Sequence, residues 1–398
     1  MTETALKTDR SGWFSILSST LTAVVVGFAS TILVIMEAAR NVGASPSQQA
    51  SWAAALCFGM AATSFFLSWR YRMPMITAWS TPGAVLIATS GGGITYPNAL
   101  GAFVVAGLLM VVAGLIKPLE KAIEKIPAPV AAAMLAGVLL RYTLGVPGAA
   151  MAMPWAVLPL VIVFFGLRLS YPLYAVPVVV VLGVALAAFG GGLTGDCCSF
   201  GITALEWTTP TFDWQTVLSI GVPLFLVTMA SQNLPGFAVL RASGYQPPVQ
   251  PALLVTGIGS TLMAPFGSHA INMAAITASI VTGPDCHPDP KKRWLVAYPY
   301  LVLYGLIGLM AASFVHVLGA LPKDLITAIA GLALFSPLMG GVTAMMKEPR
   351  DIESALVTFL VTASGLTIMG VGSAFWGLVA GLALYGARHV IQHRRVRR

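Results

Sequence analysis

A chain of 398 residues has the length of two or three soluble domains, but 57% hydrophobic and 9% charged residues exclude that class. With a mean hydropathy of +0.84 it cannot cover its surface with water-compatible groups, so lipid must be its solvent. Cytosolic enzymes, nucleic-acid binders and disulfide scaffolds are thereby excluded.

Residues 1–12 are polar and a hydrophobic run opens at Trp13 with no small-residue cleavage site, so no removable signal peptide is expected. A full crossing needs about 20 apolar residues. Cutting the chain at its charges and Pro/Gly clusters predicts fourteen spans. They run roughly over 14–39, 49–69, 75–90, 98–117, 127–144, 154–168, 171–190, 214–240, 251–264, 268–282, 294–317, 323–346, 352–370 and 372–391. The third, ninth and tenth are short. Fourteen spans put both termini on one side, and threading puts 19 of the 22 Lys and Arg there. Only Arg40, Arg141 and Lys323 fall elsewhere. By the positive-inside rule the basic side is cytoplasmic, with both termini on it. The net charge of +8 is therefore a membrane-face charge, not a nucleic-acid footprint.

Arg40-Asn-Val-Gly43-Ala-Ser-Pro46-Ser-Gln-Gln49 aligns with Arg241-Ala-Ser-Gly244-Tyr-Gln-Pro247-Pro-Val-Gln250 at an offset of 201, about half the chain. Pro74 aligns with Pro265 at an offset of 191. Seven spans is an odd number, so two such halves lie in opposite orientations. Inverted repeats of this kind mark secondary transporters, with substrate held near the midplane where broken helices meet.

The third and tenth spans are the candidates for those broken helices. Met73-Pro-Met-Ile-Thr-Ala-Trp-Ser-Thr-Pro-Gly83 suits an extended segment followed by a helix starting at Thr81-Pro82. Under the repeat, Asn272 falls at the position of Thr81 and predicts a second N-cap. Two facing half-helix N-termini favour an anion between them.

The run Gly257-Ile-Gly-Ser-Thr-Leu-Met-Ala-Pro-Phe-Gly-Ser-His-Ala-Ile-Asn272 resembles the tenth-helix region of the uracil-permease and sulfate-carrier fold. With Ser80-Thr-Pro-Gly83, Ser231-Gln-Asn233 and Phe266-Gly-Ser-His269, the whole chain is most similar to the benzoate/proton symporters of the BenE type. Uracil permeases carry acidic residues in the eighth and tenth spans. Ser231, Gln232, Asn233, Ile276 and Thr277 stand in those regions here, which argues against a nucleobase substrate.

The resemblance implies an all-α integral membrane protein of two inverted seven-span repeats, with spans 3 and 10 each a short strand plus a half-helix. It implies a core domain at 1–125 and 191–320 and a gate domain at 126–190 and 321–398. It also implies import of benzoate or a similar aromatic carboxylate by proton symport across a bacterial-type inner membrane, the core moving against the gate. Expected around the carboxylate are Ser80, Thr81, Pro82, Gly83, Gln232, Asn233, Gly267, Ser268, His269 and Asn272. Met36, Trp79, Phe237 and Phe266 are expected around the ring. A homodimer is compatible with the resemblance, although no residue pattern fixes the oligomeric state. An uncoupled anion carrier or channel on the same fold is the alternative.

Ionisable groups inside a membrane are costly and usually functional. Of the fourteen acidic residues, thirteen fall in predicted loops, tails or span edges, and Glu37 is the exception. It is either a proton-coupling carboxylate or an interfacial partner of Arg40 on the same helix face. His269 either relays a proton and binds the carboxylate, or is a neutral ring bonded to a backbone carbonyl. Arg141 lies near an end of span 5, where snorkelling accounts for it. Cys57, Cys197, Cys198 and Cys286 have no metal-binding spacing, and no Walker motif is present, so no cofactor, metal or ATP is expected. Paired carboxylates and nucleophile–base pairs are missing too, so an enzyme is not expected.

Overall fold

A computed structural model describes residues 3–29, 31–90, 93–116, 127–190, 201–369 and 371–396. The first half comprises α1 (Glu3–Ala29), α2 (Ile32–Asn41), α3 (Pro46–Tyr71), strand β1 (Thr77–Trp79), α4 (Thr81–Thr89) and α5 (Tyr96–Leu115). It continues with α6 (Ala128–Thr143), α7 (Gly145–Ala152), α8 (Pro154–Ser170) and α9 (Pro172–Phe189). An irregular strap, 201–213, leads to α10 (Trp214–Ala242), α11 (Val249–Met263), strand β2 (Ile271–Met273) and α12 (Ile276–Val281). The chain ends in α13 (Ala297–Leu309), α14 (Ala311–Gly319), α15 (Lys323–Ala333), α16 (Phe335–Met345), α17 (Ile352–Ser364) and α18 (Ser373–Val396).

Among the described residues six helices are long and apolar enough to cross a bilayer, or up to eight if each bent pair counts as one span. α13 with α14 and α15 with α16 are those pairs, bent by 57° and 41°. Predicted spans 3, 6, 7, 10 and 13 coincide with shorter elements, and the fourteenth with the 24-residue α18. Cys197, Cys198 and Lys125 lie outside the described residues.

The repeat at offset 201 encodes one helix stop used twice. Gly43 and Gly244 both take positive φ, 78° and 87°, which glycine alone adopts without strain. At the first stop the Ala44 amide donates to Ala39 O and the Gly43 amide to Arg40 O, each at 3.0 Å. At the second, Tyr245 donates to Leu240 O and Gly244 to Arg241 O, again at 3.0 Å. The bond spanning five residues is the Schellman closure of a helix end. Pro46 then occupies the first turn of α3.

β1 and β2 pair antiparallel, Thr77 with Met273, Ala78 with Asn272 and Trp79 with Ile271. Extended backbone at membrane depth survives only if the protein satisfies every amide. Here hydroxyls and one amide do so from the outer edges of the pair. Ser68 Oγ accepts from the Met75 amide (3.0 Å), Ser64 Oγ from Thr77 (2.9 Å), Ser260 Oγ from Ile271 (2.8 Å) and Asn233 Oδ1 from Met273 (2.8 Å).

The predicted N-cap at Asn272 is corrected by this pairing. Asn272 lies in the middle of β2, and α12 begins only after Ala275, which provides no side-chain cap. The offset between equivalent strand residues is 194 at the centre, not 191, because a 3-10 turn at Ala264–Phe266 and the left-handed Gly267 precede β2. In the amide orientation that satisfies both its ends, Asn272 accepts from the Ser80 amide (2.9 Å) and donates to Met273 O (3.0 Å). It therefore serves the backbone ahead of α4.

Among the described residues the strap bonds α3, the start of α5, the turn ahead of β2, and α13 and α14. Thr203 donates to Leu309 O (2.8 Å), Glu206 to Ser51 Oγ (2.9 Å), Thr208 to Pro265 O (2.9 Å) and Thr211 to Pro97 O (3.0 Å). At its end Asp213 caps α10, accepting from the Thr216 amide (2.9 Å) and hydroxyl (2.7 Å). Those bonds hold the Asp213 carboxyl below its ordinary value of 3.8. A depressed folded value means the cap contributes fully above the unfolded value and is lost as pH falls through the folded one. Asp213→Ala is expected to cost about 1 kcal/mol at neutral pH. Thermal melts should bring variant and wild type together as the medium is acidified below the carboxylate range; a constant gap would refute the capping role.

Candidate functional site

A cavity of about 720 Å³ lies where the first-half segments up to α4, with α10 and the β2–α12 junction, meet α6, α9 and α16. Its wall reaches the first residue of α6 (Ala128), the first of α9 (Pro172) and the last turn of α16 (Ala344). In sequence the last two of these ends adjoin Arg168 and Lys347.

Three local devices aim side chains into it. The first is the β1–α4 junction. Ser80 caps α4, its Oγ accepting from the Gly83 amide (3.1 Å) and from the Thr228 hydroxyl (2.9 Å). Pro82 has no N–H, so Thr81 is the part of that turn with a polar group to offer the cavity, which both Thr81 and Pro82 line. The second is a pair of π turns in α10, Val217–Gly221 and Met229–Asn233, each followed closely by a proline, Pro223 or Pro235. Proline cannot donate to the preceding turn and widens it. The wider turn sends Gln232 to the cavity and its neighbour Asn233 to the strand pair. The third is the β2–α12 junction, where Ala274, Ala275 and Thr277 reach the wall.

The polar groups are few. Among the described residues Gln232 makes no hydrogen bond and the buried Thr277 hydroxyl has no partner. With Thr81 they form a set of neutral donors available to a ligand. Trp79 and Tyr304 supply an aromatic corner, rings edge to face with centroids 6.2 Å apart. The Trp79 indole is held by donation to Thr31 Oγ1 at 2.7 Å. Alanine, glycine and proline residues of α6, α9 and α16 make most of the opposite wall. Among the described residues no Asp, Glu, Lys, Arg or His lines the cavity.

Of the residues predicted from sequence, the structure brings Trp79, Thr81, Pro82 and Gln232 to the cavity. The rest support it from behind or lie elsewhere. Gly83 packs against Leu224, and Ser80 and Asn233 bind backbone as above. Met36 and Phe237 are buried in the core, not on the wall. Phe266 packs on Trp207 of the strap, centroids 5.4 Å apart, and Gly267 packs on Trp52. Ser268 is buried with no partner for its hydroxyl among the described residues.

His269 is fully buried, its Nδ1 accepting from Trp52 Nε1 (3.1 Å) and its Nε2 bonded to Ser80 O (2.9 Å). An indole only donates and a carbonyl only accepts, so the ring is neutral with its proton on Nε2. Glu37 is half-buried in α2, off the cavity wall, with no bond to Arg40 or any other described residue. Sequence reasoning missed Thr31, Thr277, Ser336 and Tyr304. Thr277 was visible as the polar residue where permeases carry an acid, and the others had no distinguishing signal.

The fold is shared by membrane transporters of known structure. It covers 93% of this chain and 97% of the transmembrane domain of a cyanobacterial bicarbonate transporter, BicA, at a TM-score of 0.61 and 16% identity. It covers 94% of this chain and 66% of SLC26A9 at a TM-score of 0.64 and 12% identity. The sequence matches the family described as BenE, benzoate membrane transport protein, over residues 13–387, and the chain belongs to that family of membrane transporters. A relative named inner membrane protein YdcO, from Escherichia coli (strain K12), is 38% identical over 94% of this chain and 95% of its own. The benzoate membrane transport protein of Acinetobacter baylyi (strain ATCC 33305 / BD413 / ADP1) is 33% identical over 96% and 97%.

Proposed function

We propose that the protein imports benzoate or a close aromatic carboxylate by proton symport across a bacterial inner membrane, its basic face cytoplasmic. The observation that carries this reading is the cavity, with an aromatic corner beside three neutral donors (Thr81, Gln232, Thr277) and a mostly apolar wall whose other hydroxyls, Thr31, Ser231 and Ser336, are bonded within the protein. A planar ring with one carboxylate matches that distribution: the ring displaces water from apolar surface and the donors receive the two oxygens. A uracil ring would carry polar edges onto that apolar surface without partners, at the cost of their desolvation.

Residues 1–125 and 191–320 serve as the core and 126–190 and 321–398 as the gate. The cavity lies on the seam between these two groups, and the strap fastens the elements of the first group to one another. Movement of the core against the gate then carries the bound anion past the seam.

Uptake into proteoliposomes, with and without an imposed pH gradient, tests the reading. Benzoate should accumulate against its own gradient only when the outside is acidic, and uracil or sulfate should not compete. Uncoupled transport is favoured by one observation, that no Asp, Glu, Lys, Arg or His lines the cavity among the described residues. Equilibration of benzoate that ignores the pH gradient would select that second reading.

A further inference from the structure

Resting on the transport reading, we propose that Arg141 forms a second anion site, the reception point for carboxylates arriving from the face opposite the basic one.

The seam that holds the cavity continues past it. α4 begins on the cavity wall at Thr81 and ends at Thr89, about 12 Å further along the helix. At that end lies a second, small hollow on the same seam. Leu86, Thr89 and Ser90 from α4 and Ser219 from α10 form one side of it. Val138 and Arg141 from α6, with Thr362, Gly365, Thr367 and Ser373 from α17, α18 and the turn between them, form the other. Unlike the cavity it is rich in hydroxyls and contains a cation. At about 20 Å³ it holds no more than a water, so the seam is shut here in this conformation.

Arg141 is poorly used by the protein itself. Its side chain is exposed, and Nη1 donates to Thr89 O at 3.2 Å, across the seam onto the C-terminus of α4. That carbonyl end of a helix carries partial negative charge and attracts a cation. Among the described residues no carboxylate pairs with it. Most of the five guanidinium N–H donors therefore remain open. The guanidinium also has a prepared seat. Gly365, at φ 70°, lies so close beneath it that a Cβ there would fall 2.8 Å from Cζ and 2.9 Å from Nη2. A snorkelling arginine needs no such seat.

The bond to Thr89 joins core to gate, so any movement that opens this face must break it. Arg141 then loses its carbonyl and presents its fork to the opening, where a carboxylate is the best replacement. Capture is followed by passage down the seam to Thr81. Closing reverses the exchange, the α4 carbonyl displacing the anion inward. Arg141 in this role is an electrostatic guide, and the cavity donors keep the task of binding the ring acid.

The test uses right-side-out and inverted membrane vesicles with benzoate as the probe. In Arg141→Gln the KM for entry from the outer face should rise about tenfold, the effect of losing a charge-assisted bond. The salt dependence of that entry should flatten with it. Arg141→Lys should keep the salt dependence and part of the affinity. The KM measured from the cytoplasmic face should move less than about twofold, because the 720 Å³ cavity is untouched. An unchanged outer KM in Arg141→Gln, or equal losses from both faces, overturns the reception site. Wild-type vesicles that move no benzoate from either face overturn the transport reading itself, and this one with it.

Discussion

Gly340→Trp is expected to abolish benzoate binding and uptake while leaving the thermal midpoint unchanged or slightly raised. Gly340 lies on the cavity wall in α16, and a Cβ built there meets no atom within 4 Å. An indole can therefore enter the empty volume without disturbing the helix. Glycine inside a helix is about 1 kcal/mol less favourable than alanine, so replacing it relieves a cost. Filling the cavity from this wall takes the place of the substrate ring. Affinity should drop on the order of 100-fold or more, read as loss of the benzoate-induced rise in melting temperature. A variant that melts normally and still responds to benzoate would show that the ring binds elsewhere. Gly148, also open around its Cβ but off the cavity wall, is the matched control: Gly148→Trp should bind as wild type does.

The membrane class and the paired helix stops were legible because each rests on strong local physics. Charge density set the solvent, and Gly43 and Gly244 mark stops that only glycine makes cheaply. Proline at 74 and 82 denies helical bonding to the stretch between. The site was legible only in part, because residues adjacent in sequence do opposite work. In Gln232-Asn233 the first amide faces the cavity and the second carries the Met273 amide, a division set by a π turn that no periodicity announces. The alignment of Asn272 with Thr81 failed because the two halves reach their strands through turns of different length. Phe266 and His269 looked like ligands because they stand in an unusual polar run at a break. Breaks in a membrane helix also need bracing, and His269 serves that need, tying Trp52 of α3 to Ser80 ahead of α4. A serine pair spaced i, i+4 in an apolar helix, Ser64 and Ser68, was the unread sign of the strand it satisfies.

Glu37→Gln is expected to abolish gradient-driven accumulation while exchange of internal for external benzoate persists. One proton with one carboxylate is electroneutral, so the pH gradient alone sets the limit. One pH unit is worth about 1.36 kcal/mol, a tenfold concentration ratio. The coupling group must sit within the membrane and change protonation as the protein turns over. Glu37 meets the first condition without a competing duty: it is half-buried between the fully buried Met36 and Ala38, and no described residue holds its carboxylate. Protonated, it crosses lipid neutral. His269 meets the first condition and resists the second. A proton added to Nδ1 would set two N–H groups, its own and that of Trp52, against each other in a fully buried place. Glu37→Gln keeps shape and hydrogen bonding and removes only the titration, so the accumulation ratio should fall from about tenfold per pH unit to one. If Glu37→Gln accumulates normally and a folded His269→Gln does not, coupling passes to His269. If both accumulate normally, the proton travels on the substrate itself. A cavity lined by neutral donors and no fixed charge can hold the protonated acid as well as the anion, so that outcome would relocate the coupling without moving the site.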